Sequence, residues 1–145
     1  MIEARTEQRW TEALAGVSVI SERDLQILQP TDSADLFFGV PGLGVSQDAN
    51  RTASSFNIRG LQDFGRVAVI LDGARNNFQR NDHGNQSPVW VEPEMLKSVS
   101  VARGPVSNLY GSGAIGGVVS FTTKSASDFL ADGERAAGQL KARYE

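Results

Sequence analysis

Residues 101–124, VARGPVSNLYGSGAIGGVVSFTTK, decide the fold. Within them Gly111, Gly113 and Gly116 spell G-x-G-x-x-G. A dinucleotide-binding loop with this spacing needs a strand before it and a helix after it, so that the pyrophosphate rests on helix N-terminal amides. The strand is expected, because KSVSVAR over 97–103 alternates. The helix is not. Val118, Val119, Ser120, Phe121, Thr122 and Thr123 form a β-branched and aromatic run suited to a pleated strand. No Lys-Ser or Lys-Thr pair follows the last glycine, as a phosphate-binding P-loop requires. A nucleotide-binding α/β enzyme domain using Gly111, Gly113 and Gly116 remains as a rival reading, and the element that follows Gly117 decides it.

The chain's 145 residues are one domain's worth, long enough to bury a core without covalent staples. Hydrophobic residues make up 40% and charged residues 21%, a globular composition, and the net charge of -3 argues against a general nucleic-acid binder. With no cysteine, neither a disulfide framework nor a thiolate metal site is available. No apolar run reaches the length of a membrane-spanning helix. No catalytic constellation stands out: the single histidine, His83, has no serine nucleophile motif near it, and Asp63, Asp72, Asp82, Glu92 and Glu94 are scattered. An enzyme is not expected.

Outward from the glycine run, AGVSVIS over 15–21 reads as a strand, and Ser21 with Asp24 as a capping box opening a helix over 22–28 that Pro30 ends. A second short helix is expected over 34–38, broken by Pro41 and Gly42. Strands follow over 44–47, 56–59 and 66–71. From Asp72 to Pro93 the pattern dissolves into a long polar loop, the kind that is functional when it occurs in a compact domain. A helical turn at 93–96 feeds the strand at 97–103, and 105–110 offers another turn of helix. In the tail, 134–144, a period of two returns with small, apolar and aromatic residues on one face, as in a strand cut from its neighbours.

Taken together, Arg103-Gly104-Pro105, Tyr110-Gly111, Gly113, Ala114, Gly116-Gly117 and Thr123-Lys124 resemble the end of the plug domain in TonB-dependent outer-membrane receptors. Ile58-Arg59-Gly60 and Leu71-Asp72-Gly73 are similar to two further stretches of that family, and the likeness covers roughly residues 12–124. Ser120 departs from it, standing where asparagine is common. The resemblance implies an α+β plug with a small mixed β-sheet of about four strands, short helices and long loops, followed by the truncated first strand of a barrel not contained here. It divides the chain into an N-terminal linker at 1–11, the plug at 12–126, and a linker with the start of the first barrel strand at 127–145.

For the glycines at 60, 104, 111, 113, 116 and 117 it implies structural work in tight corners, where positive φ and the missing Cβ let backbones approach. Arg59 and Arg103 are expected to face carboxylates on the inner wall of the barrel, pairs that guanidinium forks suit. The wider stretch from Leu71 to Pro105 is most similar to receptors for haem and haemophores. In such receptors a plug histidine ligates haem iron, which makes His83 the expected metal ligand, with Phe78 stacking on the porphyrin and Arg80, with Arg75, meeting propionates. Haem is then transported cargo, held weakly by the plug alone. The implied partners are the barrel, the periplasmic TonB protein acting on an upstream segment, and haem or a haemophore outside. The implied place is the barrel lumen in a Gram-negative outer membrane. A siderophore receptor, with no such role for His83, is the alternative within the family.

Overall fold

The capping box read at Ser21 and Asp24 forms. In the computed structural model, which describes residues 16–47, 53–61, 66–76, 89–106 and 114–140, Asp24 N donates to Ser21 Oγ at 3.3 Å and Ser21 N to Asp24 Oδ2 at 2.8 Å. These bonds satisfy N-terminal amides of the helix α1, Glu22–Leu28, which follows the strand β1, Gly16–Ile20. Gln29 closes α1 in the left-handed region at φ 45°, just ahead of Pro30. The expected second helix is a 3₁₀ turn, Asp35–Phe37. Side chains compete for its amides: Asp32 Oδ1 accepts from Ala34 N at 2.8 Å and from Asp35 N at 3.1 Å, and Gly39 and Pro41 leave no room for further turns.

Two strands, β2 (Leu43–Gln47) and β3 (Ser54–Ile58), pair antiparallel as a separate small sheet. The main sheet has five strands in the order β1-β6-β7-β4-β5, where β4 is Val67–Leu71, β5 Ala74–Asn76, β6 Leu96–Arg103 and β7 Gly117–Thr123. It is mixed, because β7 runs parallel to β4 and antiparallel to β6. The α+β class holds. The mixed sheet exceeds the expected four strands because Asp72 and Gly73, at φ 49° and 82°, turn β4 back into β5 inside what reads as loop.

Both faces of the central strands are buried, so β6 and β7 carry runs of small and branched residues rather than strict alternation. On one face Phe37, Phe56 and Phe121 meet edge-on or tilted with centroids 5.2, 6.1 and 5.7 Å apart, packed with Leu25, Leu36 and Ile58. On the other, Ala68, Ile70, Ala102 and Val118 are covered by Val106 and Ala114 from the segments flanking the glycine corner. Trp90 is exposed between buried Val89 and half-buried Val91.

Among the described residues of the tail, 134–140 are not assigned as a strand, and the expected stretch continues into 141–144, outside the described residues. Alternation alone does not hold a strand; it needs a ladder partner, and none of the described strands pairs with it.

Candidate functional site

Register brings Gly16, Arg103, Gly117 and Val67 side by side at one end of the main sheet. Arg103 on β6 therefore has glycine as its neighbour on both adjoining strands. Its Nη1 donates to Ser18 Oγ at 2.7 Å, and a Cβ on Gly16 would lie 3.5 Å from its Nε and Nη2. The half-buried guanidinium thus lies across β1, in space the glycine leaves open. No carboxylate among the described residues pairs with it. One hydroxyl leaves most of the donors of a guanidinium available.

Arg59 leaves the same end. It follows Ile58, whose Cδ1 would be 2.8 Å from a Cβ on Gly117. Ile58 and Leu61 exchange backbone bonds at 3.0 and 3.1 Å across a two-residue turn in which Arg59 has φ 53° and Gly60 φ 86°. Asn57 Oδ1 accepts from Gly60 N at 2.8 Å, and Arg59 N donates to Gly42 O at 2.9 Å. An arginine in the left-handed region costs roughly 1–2 kcal/mol. That conformation is held from three sides, while the exposed guanidinium has no hydrogen bond or ion pair among the described residues. The backbone is fixed and the cation is presented outward.

The glycine corner has a steric reason. Gly117 has φ +144°, and a Cβ there would lie 2.2 Å from Ala102 O, so β6 and β7 close up only over glycine. Gly60 and Gly104 also have positive φ, and a Cβ on Gly116 would press at 3.1 Å on Arg66 O and Leu61 Cβ. Gly111 and Gly113 lie outside the described residues. The element after the corner is the strand β7, not a helix, which overturns the nucleotide-binding reading of Gly111, Gly113 and Gly116: no helix N-terminus is there to receive a phosphate.

The opposite end of the sheet is laced internally. Asp72, which sequence reasoning left among scattered carboxylates, accepts from Thr123 N and Thr123 Oγ1, each at 2.8 Å, and so ties the β4–β5 turn to the end of β7. The Asp-Gly pair was the available signal. Asp128 caps its own 3₁₀ turn through Ser125 and pairs with Lys97. The Lys97 bond, followed by those from Ser125, holds the Asp128 carboxyl down to about 2, and Asp128 in turn raises Lys97. Lys124 lies over the Phe129 ring at 5.6 Å and 3.8 Å from Glu22.

His83, Phe78 and Arg80 fall outside the described residues. The segment carrying them has its described flanks at Asn76, which ends β5, and Val89, which exchanges backbone bonds with Ser54 at 3.1 and 2.9 Å. Arg75 sits on β5, half-buried.

Residues 11–118 match the family model of the TonB-dependent Receptor Plug Domain. The chain belongs to that family. The TonB-dependent heme receptor A of Haemophilus influenzae is 34% identical over 128 residues, which cover 88% of this chain and 17% of that receptor. Among solved structures, the hemophore receptor HasR of Serratia marcescens, a double mutant in complex with its hemophore HasA and heme, matches with TM-score 0.73 and 36% identity. That match covers 86% of this plug and 19% of HasR. The siderophore receptor PirA of Acinetobacter baumannii matches with TM-score 0.59 and 30% identity over 76% of the plug and 17% of PirA. The plug thus spans less than one-fifth of the receptors it matches.

Proposed function

We propose that this chain is the plug of a haem-uptake receptor in a Gram-negative outer membrane. It closes the lumen of a β-barrel carried on the rest of the polypeptide, and it acts as a gate rather than a catalyst. The observation that favours haem over a siderophore is the fit to HasR, TM-score 0.73 against 0.59 for PirA. In this reading residues 12–126 form the plug and 127–145 lead into the first barrel strand. Arg59 and Arg103 reach carboxylates on the wall, which supply the anions that the described residues do not.

Haem is cargo. Neutral imidazole is a competent iron ligand, so His83 takes one axial position, Phe78 stacks on the macrocycle and Arg80 meets a propionate. The plug alone offers half of a two-ligand set and binds weakly. Release follows when TonB pulls an upstream segment and the plug shifts.

The test is an absorbance titration of haem into this chain and into His83→Ala. The parent shows an imidazole-type Soret shift, lost in the variant and lost as pH falls through the histidine range near about 6.5. Equal binding by the variant overturns the ligand role of His83. The siderophore reading, which the PirA match supports, predicts that a complete receptor with this plug fails to sustain growth on haem as sole iron source.

A further inference from the structure

The dipeptide Asp-Gly occurs twice in the chain, at 72–73 and at 132–133, and the fold puts the two copies in opposite settings. Asp72 is clamped. Its carboxylate accepts from Thr123 N and Thr123 Oγ1, each at 2.8 Å, and its own N–H donates to Phe121 O at 3.0 Å. Asp132 lies beyond the last 3₁₀ turn, Ala126–Asp128, in the exposed tail. There Glu134 N donates to Ala131 O at 3.0 Å and closes a turn with Asp132 and Gly133 at its centre, Gly133 having φ +87°. Glu134 Oε2 accepts from Ala131 N at 3.1 Å. Among the described residues neither the Asp132 carboxyl nor Gly133 N has a hydrogen bond, and a Cβ on Gly133 would meet nothing within 4 Å.

We propose that Asp132–Gly133 is a site of spontaneous backbone modification, the conversion of aspartate to isoaspartate through a cyclic imide, and that Asp72–Gly73 is protected from it. In the first step Gly133 N bonds to Cγ of Asp132 in its acid form. The Cγ–O bond breaks, and the oxygen leaves as water with the carboxyl and amide protons. Water then adds to the five-membered ring. Addition at Cγ restores aspartate, whereas addition at the main-chain carbonyl leaves a free α-carboxylate and routes the chain through Cβ and Cγ, one carbon longer than before. Water is the only co-reactant. The next residue has to be free of a Cβ for the nitrogen to approach, and the main chain has to rotate into the ring. At 132–133 one backbone bond of an exposed turn opposes that rotation. At 72–73 two bonds from Thr123 hold the carboxylate, the bond to Phe121 O holds the backbone, and the turn is pinned between β4 and β5. The product at 132 is the kind of α-carboxylate that a carboxyl-methylating repair enzyme, using S-adenosylmethionine, accepts as substrate.

Trypsin separates the two sites, because Lys124 and Arg135 bound one peptide, 125–135, and Arg66 and Arg75 bound the other, 67–75. The folded chain is aged for weeks in warm, mildly acidic to neutral buffer and digested. Isoaspartyl peptides, equal in mass to their parents, are resolved by chromatography and marked by methyl transfer from S-adenosylmethionine with a purified isoaspartyl methyltransferase. The isoaspartyl form of 125–135 should accumulate at least about tenfold faster than that of 67–75, since the bonds to Thr123 must break before Asp72 can close a ring. Ageing in concentrated urea should bring the two rates together. Asp132→Asn reaches the same ring by loss of ammonia and should convert faster, whereas Asp132→Glu, which would need a six-membered ring, should abolish methyl transfer to 125–135. Equal rates in the folded chain overturn the proposal. So does methyl transfer to 125–135 that survives Asp132→Glu, which would place the reaction at Asp128. The readout needs neither haem nor His83, so a failed haem titration leaves it intact.

Discussion

The two ends of the main sheet are built on different principles. At the end marked by Ile20, Leu71 and Thr123 the carboxylates of Asp24, Asp72 and Asp128 are spent internally, on Ser21, Thr123 and Lys97. At the end marked by Gly16, Arg103 and Gly117, Arg103 has one serine hydroxyl and Arg59 has no side-chain bond among the described residues. That second end is held by close backbone approach instead, with Gly117 under Ala102 O and Arg59 N on Gly42 O. At one end the three carboxylates find their partners within this chain. The other is shaped to the same standard, yet its two arginine side chains have no carboxylate partner among the described residues, which is the arrangement the proposed seating in a barrel calls for.

The sharpest way to break this contrast is at the glycine closure. Gly117→Ala places a methyl carbon at 2.2 Å from a carbonyl oxygen at φ +144°, and the loss of stability should be about 3 kcal/mol or more. Gly104→Ala, at φ +115° with nothing within 4 Å, should cost only backbone strain, about 1–2 kcal/mol. Urea unfolding of both variants measures the difference, and equal costs would mean that the two strands do not close as tightly as described.

At the laced end, Asp72→Ala removes both bonds to Thr123 and puts alanine at φ 49°, a loss of about 1–2 kcal/mol. Asp72→Asn tolerates the same φ and keeps one acceptor, so it should lose less than half as much in the same assay.

The smallest effect is that of Asp128. Its folded carboxyl lies near 2 against an ordinary 3.8, so its contribution is present above pH about 4 and is lost as pH falls toward 2. Lys97 shifts the other way and keeps its charge throughout that range. Amide exchange of 125–130 should accelerate between pH 4 and 2, after correction for intrinsic rates, and Asp128→Asn should remove that dependence. Acceleration already complete at pH 5 would contradict the clasp.

Features set by local rules were legible in the sequence. The Ser21–Asp24 cap, the end of α1 before Pro30 and the strand after Gly117 all follow from side chains acting within a few residues of themselves. The β4–β5 turn was missed because three strand residues inside a polar stretch show no period; only Asp72-Gly73 announces it. The 3₁₀ turn replaced an expected helix where Asp32 took the amides. Arg103's bond to Ser18 joins positions 85 apart in the chain, and no sequence spacing encodes that. Arg59 in the left-handed region was equally hidden, since arginine has no preference for it. Of the haem-site expectations, His83, Phe78 and Arg80 rest on family likeness and lie outside the described residues.

The central claim is that this chain is one half of an interface whose other half lies on the same receptor. Thermal unfolding of Arg59→Ala tests it directly, measured once in the isolated chain and once in the complete receptor. In the isolated chain the change should stay within about 0.5 kcal/mol, because the guanidinium has no described bond to lose. In the complete receptor the same substitution should destabilise the plug by about 2 kcal/mol or more, the cost of stranding a carboxylate on the wall. Equal small effects in both settings, or a large loss in the isolated chain, would contradict the account.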